Sequence, residues 1–278
     1  MMNRLMNRLM NLVPAPALHE LRLFFIALQF FTRCPIPRWV GFDPAWLQHC
    51  ARYFPAVGLL VGAFSAVVLG SAMWLWPTPV AVGLSMAASV WLTGGFHEDG
   101  WADTWDGLGG TVSRERALVI MKDSRIGSYG ALGLILLLGL KAACLVALAD
   151  GDLPTAMLAL LWAHCASRAA PVWLLHAMTY AGDVEHAKAK PLATQASGAT
   201  VSVALGWVMV ASLLTAWISP GLVPTLCAAS VAVVGTTFWL QGWFDQRLGG
   251  YTGDNLGACQ QLVELAALLV FLALLNVF

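Results

Sequence analysis

The chain has 278 residues, of which 59% are hydrophobic and only 11% charged, with a mean hydropathy of +0.73. An ordinary soluble domain carries roughly 25% charged residues, so this composition excludes a water-soluble enzyme and a disordered chain. The 15 basic residues balance 15 acidic ones and no basic arm or stripe appears, which argues against a nucleic-acid partner.

A bilayer-spanning helix takes about 20 apolar residues. The expected fold is therefore an all-α polytopic membrane protein: one integral membrane domain over residues 1–278, with six to seven transmembrane helices. Residues 1–19 read as a flexible extension. They include Arg4 and Arg8 but lack the unbroken apolar stretch of a cleavable signal peptide, and are expected to stay in the mature protein. Leu21 to Phe31 is apolar but too short to cross, and with Arg22 and Arg33 around it reads as an amphipathic interfacial helix.

Tyr53 to His97 contains no Asp, Glu, Lys or Arg, is too long for one span and is broken at Trp76-Pro77-Thr78-Pro79, which gives spans one and two. Ile126 to Ala149, interrupted by Lys141, and Leu153 to Gly182, interrupted by Arg168, are spans three and four. The uncharged run from Pro191 to Phe244 breaks at Ser219-Pro220-Gly221 into spans five and six. Asn255 to Phe278, with Glu264 as its one charge, is span seven, and re-entry of this last span would leave six crossings. The cysteines are scattered without a C-x-x-C pair and read as small buried hydrophobes.

Arg4 to Arg52, Arg114 to Arg125, Lys188 with Lys190, and Arg247 all fall in loops on one side, whereas the loops at Pro77, Asp150 and Pro220 hold no Lys or Arg. Positive loops stay in the cytoplasm. The expected location is the bacterial inner membrane with the chemically interesting loops facing the cytoplasm.

The segment at 94–110, GGFHEDGWADTWDGLGG, places four carboxylates at the membrane edge. On a helix Asp99, Asp103 and Asp106 fall within about 60° of one another, while Glu98 points elsewhere and is expected to be dispensable. Crowded oxygen ligands of this kind predict a hard-cation site, most plausibly for Mg²⁺, which usually shares its coordination with substrate phosphates. The plainer alternative is an Asp-rich first turn that favours the helix dipole. Downstream, MKDSRIGSYGALGL at 121–134 offers Lys122 and Arg125 for phosphate oxygens, or for ordinary membrane anchoring. GGYTGDNLGACQQLVEL at 249–265 reads as a Gly-rich turn into a helix whose backbone N–H groups suit an anion. Glu264 inside that helix needs a cavity or a partner, either a metal or one of the intramembrane cations Lys141 and Arg168. His97 adjoins the acidic face, whereas His164 reads as a satisfied core histidine.

With TRCPIPR at 32–38 and FPAVGLLVGA at 54–63, these three motifs resemble the cobalamin synthases, or adenosylcobinamide-GDP ribazoletransferases, from about residue 20 to the end. The resemblance implies an integral membrane enzyme of the last step of nucleotide-loop assembly. It would join adenosylcobinamide-GDP to α-ribazole or its 5′-phosphate, release GMP and require Mg²⁺. The family pattern H-x-D-G-x-x-D-x-x-D-G lands on His97, Asp99, Asp103 and Asp106. Residues and resemblance together assign catalysis to Asp99, Asp103 and Asp106, and metal binding to the same three with Glu264. Substrate binding falls to His97, Lys122, Asp123, Arg125, Arg168, Asp254 and Asn255. Partners beyond the substrates are the bilayer and, as expectations, other cobalamin-assembly enzymes or a second copy. Two rivals stand beside this reading: a CDP-alcohol type of Mg²⁺-dependent transferase, and a solute transporter with Lys141, Arg168 and Glu264 along its path.

Overall fold

The computed structural model describes residues 14–182 and 194–275. The amino-terminal residues up to 13 and the loop bearing Lys188 and Lys190 lie outside the described residues. The fold is helical, and among the described residues the only strand-like pairing is an isolated bridge between Tyr180 and Tyr251.

Helix α1 spans Ala15–Phe31. It starts earlier than the apolar pattern predicted, because Pro16 in the first turn has its φ preset and lacks an N–H that would go unpaired there anyway. The short α2, Pro44–His49, and a 3₁₀ turn at Cys50–Tyr53 lead into α3, Phe54–Ala72. Glu20 on α1 pins this entry, accepting from Arg52 at 2.9 Å and from the Tyr53 hydroxyl at 2.8 Å.

Helix α4, Thr78–Thr93, has 16 residues, and the acidic helix α5, Phe96–Leu108, follows at 89° to it. Gly94 and Gly95 make the turn with φ of 74° and 73°, a left-handed backbone that side-chain-bearing residues rarely adopt. Then come α6, Arg114–Met121; α7, Ser128–Gly151; α8, Leu153–Ser167; and α9, Ala169–Ala177. The α8–α9 break at Arg168 has a local cause: Pro171 has no N–H for the Ser167 carbonyl one turn earlier. Helices α10, Gly198–Ile218, α11, Val223–Leu248, and α12, Gly253–Leu274, complete the chain.

Six stretches are long and apolar enough to cross a membrane, and α4 with α5 makes a seventh if the bent pair is one broken span. This corrects the span reading at one place. The last helix is full length with 22 residues, and the irregular crossing is the second, where the carboxylates of α5 stop the apolar run.

The α8–α9 span is the centre of the bundle, 78% buried over its most apolar stretch, against 17% for α10 and 22% for α11 on the outside. Helix α3 meets α8 backbone to backbone at Gly58 and Gly62. A Cβ on Gly58 would overlap the His164 carbonyl, and one on Gly62 would lie 2.8 Å from the Leu160 carbonyl. Small residues four apart permit such close approach, which drives helix association where lipid removes the hydrophobic drive.

Hydrogen bonds between loops sort the bundle into two ends. At one end, Arg33 N–H donates to the Leu92 carbonyl, Arg114 to the Leu248 carbonyl and Arg247 to the carbonyls of Leu108 and Gly110. At the other, the Thr78 hydroxyl donates to Asp150, and Gly151 abuts Leu275. The segments bearing Arg33, Arg114 and Arg247 thus share one end, and those at Thr78 and Asp150 the other.

Candidate active face

Helix α5 is built as a wedge between the starts of α7 and α12. Its packed side carries Gly100, Trp101, Thr104 and Leu108, and its least buried stripe carries Asp99, which is exposed, with Asp103 and Asp106 half-buried. Gly100 and Gly257 let α5 and α12 touch. A Cβ on Gly100 would sit 2.8 Å from the Asp254 carbonyl, and one on Gly257 would sit 3.2 Å from the His97 carbonyl. The Asn255 amide then donates to the Thr104 hydroxyl at 3.2 Å.

The three aspartates do not share one task. Asp106 accepts from the Gly127 and Gly130 N–H groups, both at 2.7 Å, and so caps the first turn of α7. A side chain at either glycine would displace the Asp106 carboxylate, because an added Cβ would fall on it. Among the described residues no group of three His, Cys, Asp or Glu side chains is placed to hold a metal by itself. A closed three-aspartate cage, with or without Glu264, is therefore not what the fold builds. Asp99 and Asp103 carry their carboxylate oxygens on the stripe beside the Asp254 end of α12. A donor set of that size fits Mg²⁺, which commonly takes one or two carboxylates and completes its shell with substrate phosphates and water.

The nearby cations are on the same side. Lys122 is exposed at the end of α6, and Arg125 is exposed and paired with Asp123 at 2.6 Å. That carboxylate raises the Arg125 pKa further, so the guanidinium is always charged. The start of α12, read as an anion site, is capped by its own side chains. Thr252 and Asn255 form a reciprocal capping box, with Thr252 N–H donating to Asn255 Oδ1 at 2.9 Å and Asn255 N–H donating to Thr252 Oγ1 at 3.4 Å. Asn255 is fully buried in this role. Tyr251 beside it is buried, donates to the Thr194 carbonyl at 2.7 Å, and has its phenol pKa pushed up by burial.

Three candidates lie inside the bundle instead of on the open stripe. His97 is buried and stacked on Phe31, with ring centroids 5.3 Å apart. Arg168 is buried and donates to the His164 carbonyl at 2.9 Å. Glu264, 0% exposed, pairs with Lys141 of α7 and lies 3.0 Å from His164 Nδ1. An ionised group taken out of water needs such partners, and here one carboxylate serves two of them.

Several participants were missed in the sequence. Gln260 donates to Glu264 at 2.6 Å, Gln261 donates to Glu98 at 2.9 Å, and Thr104 receives Asn255. The available signal was the pair of amides one turn before a carboxylate in an otherwise apolar helix.

Fold and face together define a polytopic helical membrane protein with one carboxylate-rich helix wedged between the starts of two of its spans and a second, closed polar cluster within. Residues 23–272 match the family described as Cobalamin-5-phosphate synthase, and the chain belongs to that family of membrane transferases. A protein of Leptothrix cholodnii named adenosylcobinamide-GDP ribazoletransferase is 60% identical over 259 residues, covering 93% of this chain and 98% of that protein. Proteins of the same name from Shewanella halifaxensis and Polaromonas sp. are 47% and 42% identical, covering 92% and 90% of this chain and 96% of each relative. No solved structure matches the chain.

Proposed function

We propose that the protein joins adenosylcobinamide-GDP to α-ribazole, or to its 5′-phosphate, giving adenosylcobalamin or its 5′-phosphate and GMP, at the cytoplasmic face of the inner membrane. The observation that carries this reading is the open stripe of α5, with Asp99 and Asp103 beside the start of α12 and Lys122 and Arg125 on the same side. Family membership and the relatives' names supply the substrates. The excess of Lys and Arg on this side and its absence from the opposite loops supply the orientation.

A ribazole oxygen attacks the phosphorus that carries the cobinamide; the bond to the bridging oxygen breaks, and GMP leaves with that oxygen. Mg²⁺ held by Asp99 and Asp103 would neutralise diphosphate charge, the main requirement of phosphoryl transfer. Lys122 and Arg125 orient phosphate oxygens from the loop, and a carboxylate of the stripe receives the proton of an attacking hydroxyl. Asp106 has a positioning role, because its oxygens hold the start of α7. Asp254 would contact the same ligand from α12.

The test is a product assay on detergent-purified protein given adenosylcobinamide-GDP and α-ribazole, with Mg²⁺ or EDTA. Joint appearance of GMP and cobalamin only with Mg²⁺ is expected. A folded preparation that turns over neither ribazole form would overturn the reading.

A further inference from the structure

Helix α5 is held by several hydrogen bonds, and the first of them in chain order reaches into the bundle's buried ion cluster. Lys141 of α7 pairs with Glu264 of α12. Glu264 Oε2 accepts from Gln260 Nε2 at 2.6 Å, and Gln260 Oε1 accepts from Gln261 Nε2 at 3.0 Å. The Gln261 amide also donates to Glu98 Oε1 at 2.9 Å, on the first turn of α5. Gln260 further donates to Ser167 Oγ at 3.0 Å, where α8 breaks. Polar side chains thus run without interruption from the middle of α7 to the residue next to Asp99.

We propose that this row, ending in Gln261 and Glu98, is a positioning device that fixes the rotation of α5 and so the direction of its aspartate stripe. Apolar packing alone tolerates small turns of one helix against another, because dispersion contacts are non-directional. A hydrogen bond to a carboxylate is directional, and turning α5 by one residue, about 100°, would break it. Gln261 is buried and Glu98 half-buried, so the Gln261 amide would lose this bond with no water to replace it, which penalises the turn. Glu98, read from the sequence as pointing away from the site, acquires a role through its partner. The inference rests on α5 being the catalytic face.

The test compares Gln261→Leu, Glu98→Ala and Glu98→Gln with the unaltered protein in detergent, by steady-state kinetics, amide hydrogen exchange and thermal unfolding. Gln261→Leu and Glu98→Ala are expected to lower kcat about 10–100-fold, the range typical of residues that orient a ligand-bearing group, with little change in KM. Exchange is expected to quicken in residues 96–108 and to hold in 128–151. Glu98→Gln, which can still accept the Gln261 bond, is expected to restore most of the activity that Glu98→Ala loses. Glu98→Gln as inactive as Glu98→Ala would overturn the proposal, since the charge itself would then matter. So would unchanged exchange in 96–108, or a loss of protection spread over all helices with a lowered melting temperature. If the unaltered protein makes no product, the functional reading fails, and the exchange comparison still decides the positioning role.

Discussion

Asp99 and Asp106 lie on the same stripe of α5 and are expected to respond differently to substitution. Asp99→Ala should lower turnover more than about 100-fold, beyond the range for residues that merely orient a ligand, with the melting temperature unchanged. Asp106→Ala leaves two N–H groups of α7 without their acceptor, so its first effect should be on stability, about 1 kcal/mol as for a lost helix cap, read by thermal unfolding in detergent. Cys165→Ala, deep in α8, should keep full activity in the same assay. Spacing alone placed the aspartates on one face, but it had no means of showing that the glycines at 127 and 130 present N–H groups to one of them. Arg168 and Asn255, read as substrate contacts, have partners inside the protein: His164 one turn earlier for Arg168, and Thr104 with the capping turn of Thr252 for Asn255.

Helix pairing sets the next scale. Glu264→Ala should cost about 3–5 kcal/mol, because Lys141 would be left charged and buried without its carboxylate, whereas Lys141→Met with Glu264→Met should cost less than the single change. Thermal unfolding of these two variants and of Lys141→Met and Glu264→Met alone checks this, and additive losses would show that the pair does not act as a unit. Gly58→Leu should prevent α3 from reaching α8 and lower the yield of folded protein, since the obstacle is the His164 backbone and cannot rotate away. The apolar runs made nearly every span legible in the sequence. What they concealed was the end of α4, because Gly94-Gly95 interrupts the helix without adding polarity, and the direction taken afterwards depends on packing against α7 and α12.

For the molecule as a whole, the expected sidedness follows from where 13 of the 15 basic residues sit relative to the apolar runs, with only Lys141 and Arg168 inside them. Single cysteines at Ser124 and Gln246, in a Cys227→Ala background, should react with an impermeant thiol reagent only after cells are opened. One at Trp74 should react from outside. Reversed labelling would place the aspartate stripe away from the cytoplasm. The right-angled turn at Gly94-Gly95 also bears on the surrounding lipid. Helix α4 is about 24 Å long at 1.5 Å per residue, several ångströms short of a hydrocarbon layer of about 30 Å. Such hydrophobic mismatch is relieved by thinning the adjacent leaflets, so this enzyme should sit in a dimple of its own making. Its turnover in vesicles should fall as the acyl chains are lengthened.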